Sequence, residues 1–496
     1  MNLNLFINGE FRDSEKRQKI INPATGEAIA EAKLAQDKDV EDALQAARDA
    51  FDKGPWQKIS LKERKDYLLK ISQGILDNAA ELARLETLNN GKPIKESTFM
   101  DIPSCAKTFQ HFAQNLEKYL EVENIEISTD ISQAQGQLLR EPLGVAVLIV
   151  PWNYPLLIAS WKLAQALAAG NTVVLKPSSL TPLTALALGE ILQKAGLPRG
   201  VVNIVNASGY EIGETLCADR RIDLISFTGS NAGGKEIIGY ASKNVKKLIM
   251  ELGGKSASLV LNDADLELAV NGSLCSIFLN QGQMCTAMSR ILVQEGIYDR
   301  FLVDFVDKAK RIKLGDGLDY QTQMGPLISE AQRRKALEFV EKARKEGAKL
   351  LCGGQIPANP QLKNGYFLAP VVVTETSPQM QIFQEEVFGP VAIVEKFSNL
   401  SQGIELANSS TFALACCIWS QDQAKAEQVA RQVNAGIVWV NTYGMFFNEL
   451  AYGGFKQSGF GKELGKAGFL EYTRLKTIVF EKTRDTKPLV NFWYGF

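Results

Sequence analysis

The sequence predicts an α/β protein built from two doubly wound parallel sheets and a small antiparallel β arm. Three observations carry this expectation. From Glu141 onward, short β-branched runs alternate with longer helix-like segments that begin at N-cap signals and stop at glycine. A second series of the same kind follows "MELGGK". The stretch "VENIEISTDISQAQGQLLRE" differs from both, alternating polar and apolar residues without helical periodicity, as a hairpin does.

In the first series "GVAVLIV", "NTVVLKP", "GVVNIVN" and "IDLISFTG" read as strands, separated by the helical segments "LLIASWKLAQALAAG", "PLTALALGEILQKAG" and "GYEIGETLCADR". That order implies a parallel sheet, because parallel strands need right-handed helical crossovers. In the second series "SRILVQ", "GPVAIVEKF", "FALACCIWS" and "GIVWVN" read as strands, with helices such as "QAKAEQVARQV" between them. The hairpin near 122–142 should protrude, and it needs a partner sheet. No internal repeat and no low-complexity segment is visible, and 496 residues should make about two or three domains.

Composition narrows the partners. The 55 basic and 56 acidic residues leave a net charge of −1, so no basic footprint argues for nucleic acid or an anionic membrane surface. The most apolar helical run is interrupted by Lys162, and the N-terminus "MNLNLFINGEF" lacks a signal-peptide core, so a membrane span is not expected. Seven cysteines show neither a paired framework nor zinc-ligand spacing, and Cys416 and Cys417 read as part of a buried strand. A reducing, cytoplasmic compartment and a small-molecule partner follow.

The chemistry has to be found without histidine. The chain has one, His111, in a helix-like stretch where a surface or packing role is the plain reading, so Cys-His, Ser-His-Asp and multi-histidine metal sites are disfavoured. Cys285, in the loop "NQGQMCTAMSR", must be activated by backbone dipoles, a cofactor or a carboxylate. Glu251 in "MELGGK" sits between an apolar strand end and a Gly-Gly turn. It is either a general base with a raised pKa or a salt-bridge partner of Lys255. Asn153 lies between two prolines in "PWNYP", which is either a stiff amide donor for an oxyanion or a rigid turn with Trp152 in the core.

No G-x-G-x-x-G fingerprint follows any strand, so phosphates need another cradle. "SFTGSNAGGK" ends a strand at Thr228-Gly229-Ser230 and opens a helix, which makes a pyrophosphate site or a plain serine cap. Lys176 in "KPSS" closes a neighbouring strand, where it can donate to ribose hydroxyls or simply be solvated.

Taken together, "INPATGE", "PWNYP", "KPSS", "SFTGS", "MELGGK", "NQGQMC", "QEEVFGPV" and "YGGFKQSGFGKE", in that order over nearly the whole chain, resemble the aldehyde dehydrogenase superfamily. The resemblance implies Cys285 as nucleophile and Glu251 as general base, with Asn153 and the Cys285 N–H as oxyanion hole. It also implies NAD or NADP held by Trp152, Lys176, Ser179, Gly229, Ser230, Leu252, Glu386 and Phe388, and no catalytic metal. The reaction implied is oxidation of an aldehyde through a thiohemiacetal and a thioester, with hydrolysis to the acid favoured because Glu251 is retained. Ser179 stands where many NAD-preferring relatives carry glutamate, so NADP should be accepted.

Tyr154, Trp161 and Tyr452 resemble the aromatic walls of the betaine-aldehyde and amino-aldehyde branch, which hold a cationic group by cation–π attraction. Phe446 is bulkier than in betaine-oxidising relatives and Leu279 replaces an aromatic, so an apolar or aromatic aldehyde lined by Trp161, Phe446 and Phe447 is the alternative. A non-catalytic protein on the same fold, or a thiol esterase, also stays open. The resemblance divides the chain into a dinucleotide-binding domain (1–121 and 143–254), a catalytic domain (255–456), and an oligomerisation arm with C-terminal strand and tail (122–142 and 470–496). A homodimer or homotetramer is expected, and the aromatic tail "PLVNFWYGF" either docks on a neighbouring subunit or packs loosely against its own.

Overall fold

A computed structural model describes residues 2–129, 133–482 and 487–495. Parts of the expected arm and tail, 130–132, 483–486 and 496, lie outside the described residues.

The first sheet has eight strands. Its parallel centre runs, in spatial order, Val202–Ile204, Thr172–Lys176, Val145–Ile149, Leu224–Thr228 and Lys247–Glu251. The four sequence-predicted strands are all here, and the fifth ends on Glu251. Both flanks are antiparallel, with Leu5–Ile7 beside Val202–Ile204 on one side and Gly459–Phe460 beside Lys247–Glu251 on the other. The crossover helix Pro155–Ala169 is buried along all of its 15 residues. It starts at a proline suited to the first helical turn and stops at Gly170, whose φ of 97° is left-handed.

The second sheet has seven strands, ordered Lys349–Cys352, Val371–Thr374, Val391–Phe397, Arg290–Gln294, Ala257–Val260, Ala415–Trp419 and Ile437–Val440. All neighbours are parallel except the first pair. Its centre is apolar on both faces, as a parallel sheet covered by helices requires. Cys416 and Cys417 fall on opposite faces of one strand, each in a different core. "FALACCIWS" is two strands rather than one, because Phe412–Ala413 turns away to pair with Phe455–Lys456.

The arm is a hairpin of Glu123–Ser128 and Gln133–Pro142, and Thr473–Glu481 completes a three-stranded antiparallel sheet on the far side of the longer strand. Ile125, Ile127, Leu475, Val479 and Phe480 are exposed on it. The tail forms a helix, Lys487–Tyr494, that exposes Phe492, Trp493 and Tyr494. Among the described residues no helix is long and apolar enough to cross a membrane.

Candidate active site

Register places the sequence-predicted groups along one edge. Ile149 is opposite both Lys176 and Phe227, and Thr228 is opposite Glu251, so four adjacent strands end level with one another. Lys176 and Glu251 end their strands at that carboxyl edge, and the loops leaving it carry Trp152 and Asn153, Ser179, Gly229 and Ser230, and Leu252. This is where an open α/β sheet binds its ligand.

Cys285 reaches the same place from the second sheet. It follows the helix Leu266–Phe278 and a turn in which Asn280, Gln281 and Gly282 have φ of 44°, 57° and 70°. Two consecutive non-glycine residues at left-handed φ are costly, and groups from elsewhere in the chain hold them. The Asn280 N–H donates to Glu96 at 3.2 Å, Asn280 Nδ2 donates to the Asn153 carbonyl at 3.0 Å, and Asn153 Nδ2 donates to the Gln283 carbonyl at 2.8 Å. Asn153 is thereby tied to the cysteine loop through its backbone and its amide, and one of its two side-chain N–H bonds remains for a ligand.

The Cys285 sulfur lies 3.1 Å from the Tyr452 hydroxyl. The thiol retains some accessible surface but is enclosed by protein, and burial pushes its ionisation up to about 12. It is therefore a neutral thiol in the free protein.

Glu251 is buried, and neither of its carboxyl oxygens has a hydrogen-bond partner among the described residues. Burial, reinforced by the Glu463 carboxylate, raises its pKa well above the usual range. The alternative pairing with Lys255 does not occur, since the buried Lys255 ammonium is also unpartnered. A carboxyl so placed is favoured in its neutral form and, once ionised, is a stronger base than an exposed carboxylate. Beneath it, the Lys162 ammonium lies 2.5 Å from Glu463, and Gln165 donates to the other Glu463 oxygen at 2.7 Å. A lysine in an otherwise apolar helix was the sequence signal for this pair, but its partner lies 301 positions away.

Glu386 accepts the Gly254 N–H at 3.0 Å, and burial raises its pKa to about 7. A side chain at Gly253 would come within 2.6 Å of the other Glu386 oxygen, and one at Gly254 within 2.4 Å of the Cys285 carbonyl. Only glycines let the chain pass between carboxylate and cysteine loop. Phe388, at a left-handed φ of 61°, sets its ring edge-on to Trp152 with centroids 5.2 Å apart.

A dinucleotide fits these residues. The buried Lys176 ammonium has one acceptor, the Pro177 carbonyl at 3.2 Å, and burial lowers its pKa to about 8, so it is a cation short of partners. Ser230 caps the helix Asn231–Ala241 by accepting the Gly233 N–H at 3.2 Å, which puts a helix N-terminus, an end suited to anions, at this strand edge. Ser179 is half-exposed. Among the described residues no cluster of His, Cys, Asp and Glu could hold a metal ion.

The aromatic residues form one cluster beside the thiol. Trp161 lies 5.4 Å from Tyr452 and 5.6 Å from Phe446, and Phe446 lies 5.5 Å from both Tyr452 and Trp439. Phe447 is exposed and stands outside this set of ring contacts. Tyr154 carries the buried Lys92 ammonium 4.0 Å above its ring, so one face is already taken by a cation. Lys92 pairs with Asp101 at 2.7 Å, with Glu86 and Glu96 also close. Sequence reasoning missed this cluster and Trp439. A surface cavity of about 450 Å³, lined by Cys275, Leu279, Lys308 and Arg311 among others, includes none of the groups around Cys285.

His111 is buried, packs edge-on against Phe112 and bonds Tyr119 at 3.1 Å, which is the packing role expected of it.

Comparison with known proteins bears on this geometry. The model of the aldehyde dehydrogenase family matches residues 11–478. The chain is similar to a betaine aldehyde dehydrogenase of Bacillus subtilis, 46% identical over 498 residues that cover 100% of each chain. It is similar to mouse retinaldehyde dehydrogenase 3, 40% identical with 98% of this chain and 94% of the relative covered. Among solved structures, a point mutant of Staphylococcus aureus betaine aldehyde dehydrogenase in complex with NAD+ superposes with a TM-score of 0.95 at 40% identity, covering 99% of both chains.

Proposed function

The chain belongs to the aldehyde dehydrogenase family, and on that footing we propose that it oxidises a trimethylammonio- or amino-aldehyde to the carboxylic acid with NAD. The observation that carries the reading is the convergence of Cys285, Asn153, Glu251 and Glu386 on one cleft between two sheets.

Each group has a proposed role. Cys285 attacks the aldehyde carbon as thiolate. Asn153 and the Cys285 N–H receive the oxyanion, each donor lowering the barrier by about 3 kcal/mol in comparable acyl-transfer sites. Bound NAD supplies the acceptor for the hydride that leaves the thiohemiacetal. Glu251, without a hydrogen-bond partner among the described residues and made more basic by burial, takes a proton from the water that hydrolyses the thioester. Lys176, Ser179, Gly229 and Ser230 bind the adenosine half of the cofactor, while Trp152, Leu252, Glu386 and Phe388 position the nicotinamide half. The neutral Ser179 leaves room for a 2′-phosphate, so NADP is accepted as well.

The identity to betaine aldehyde dehydrogenase along the full chain favours a cationic substrate, and the Trp161 and Tyr452 rings supply π-systems for it, worth about 0.5–2 kcal/mol each. Tyr154 contributes less than the sequence suggests, because Lys92 already covers one face. An apolar aldehyde remains the second reading, favoured by the bulk of Phe446 inside the ring cluster. The sheet ending on Glu251 serves as dinucleotide domain and the sheet beside Cys285 as catalytic domain. The arm, with its exposed apolar residues, pairs copies into a dimer or tetramer in a reducing cytoplasm.

Reduced-nicotinamide absorbance with betaine aldehyde, an amino-aldehyde, an aliphatic aldehyde and benzaldehyde tests this. The cationic aldehydes should give the highest kcat/KM. A tenfold preference for the neutral ones would reverse the substrate reading.

A further inference from the structure

A buried thiol with no histidine in reach must have its anion stabilised by something. Glu251 and Glu386 are both close enough to act on it, and neither carboxyl can stabilise a thiolate by its charge. The Tyr443 hydroxyl is engaged by Thr286 at 3.3 Å and by Met284 Sδ at 3.6 Å, and Lys92 is committed to Asp101 and the Tyr154 ring. Lys162 and Lys462 act on Glu251 from beyond it, and Lys162 is paired with Glu463.

We propose that Tyr452 is a further catalytic residue, its hydroxyl donating a hydrogen bond to the Cys285 thiolate and holding the sulfur before attack. The inference rests on Cys285 being the nucleophile. The O···S distance is 3.1 Å, and among the described residues no other side chain hydrogen-bonds the sulfur. Tyr452 is 5% exposed, so its hydroxyl does not exchange freely with water. Its backbone is fixed by reciprocal bonds with Glu463, N–H to carbonyl at 2.7 Å in one direction and 2.8 Å in the other. Its ring is wedged edge-on between Trp161 and Phe446. A donor fixed in this way is pre-organised, which makes a charge-assisted bond effective.

The proton balance is simple. The thiol proton leaves to water and the charge stays on sulfur, while Tyr452 keeps its own proton and directs it at the anion. As the C–S bond forms, the charge passes to the aldehyde oxygen, and the Tyr452 bond weakens as the Asn153 bond strengthens. The ring meanwhile serves as a wall of the substrate pocket, so one residue acts through two separable parts.

Tyr452→Phe removes only the hydroxyl. Iodoacetamide labelling near neutral pH, with each cysteine peptide quantified by mass spectrometry, reads the thiolate directly. Losing one charge-assisted bond should raise the thiol ionisation by about one to two pH units, and the stronger nucleophile that results offsets part of this. The Cys285 labelling rate should therefore fall about 3- to 12-fold, and kcat/KM should fall with it while KM for a cationic aldehyde holds. Labelling of Cys275 and Cys352 should not change, whereas a loosened fold would speed all three. If Tyr452→Phe folds poorly, Tyr452→Leu must show the same slowing at Cys285 together with a raised KM. An unchanged Cys285 rate, with labelling still abolishing aldehyde oxidation, overturns the role of Tyr452 alone. Labelling of Cys285 that leaves oxidation intact overturns the nucleophile assignment and this inference with it.

Discussion

Asn153→Ala isolates the oxyanion donor from the architecture that holds it. The Asn153 carbonyl receives Asn280 Nδ2 at 3.0 Å and Asn90 Nδ2 at 3.3 Å, and neither bond involves the Asn153 side chain. The loop should therefore keep its path in the alanine variant. Two things are lost. One is the donor to the oxyanion, about 3 kcal/mol of barrier or about 10²-fold in rate. The other is the 2.8 Å bond to the buried Gln283 carbonyl, which costs about 1–3 kcal/mol of stability when left unsatisfied. The two separate by assay, because the oxyanion exists only after attack. The burst rate of reduced nicotinamide should fall about 10²-fold with KM little changed, while the melting temperature drops by a few degrees. A burst within about twofold of wild type, or a loss confined to KM, would refute this role for Asn153.

The other predictions concern cofactor, core and pH. Ser179→Glu should shift preference toward NAD by repelling a 2′-phosphate, read as the ratio of kcat/KM for NAD and NADP; an unchanged ratio counts against Ser179 as the discriminator. Lys162→Met strips the buried Glu463 of its ammonium partner and should cost about 3–5 kcal/mol, read by urea unfolding with wild-type kinetics as the parallel measure. A cost below about 1 kcal/mol would mean that Gln165 and Ser226 suffice to hold the carboxylate. Burial raises the pKa of Glu96 to about 8, so its neutral form is favoured by folding, and stability is lost as pH rises from its unfolded value through about 8. Glu96→Gln keeps an acceptor for the Asn280 N–H without the ionisation, and it should flatten the decline of melting temperature between pH 6 and about pH 9. An equal slope in both proteins would remove Glu96 as the cause.

What the sequence reveals about this site is mostly local. The β-branched runs and their glycine stops locate the parallel strands, and the residues at their ends follow directly, which is how Lys176, Ser230 and Glu251 become visible. Cys285 stands out because the chain has a single histidine to offer instead. The strands Ala257–Val260 and Val371–Thr374 escape notice because short, fully buried runs carry no alternation to read. The Lys162–Glu463 pair, the Glu386 bond to Gly254 and the Lys92 ammonium above Tyr154 depend on chain segments brought together only by the folded topology. The same limit hides the left-handed run at Asn280 and Gln281, whose strain is held by Glu96 and Asn153 rather than by neighbouring residues.

The most direct measurement is the mass of Glu251→Gln after mixing with NAD and betaine aldehyde. Without its base the enzyme should still form one equivalent of reduced nicotinamide and then stop, with an acyl group on the Cys285 peptide and none in Cys285→Ala. Steady turnover by Glu251→Gln, or a burst with no adduct on Cys285, would contradict a thioester hydrolysed by Glu251-activated water.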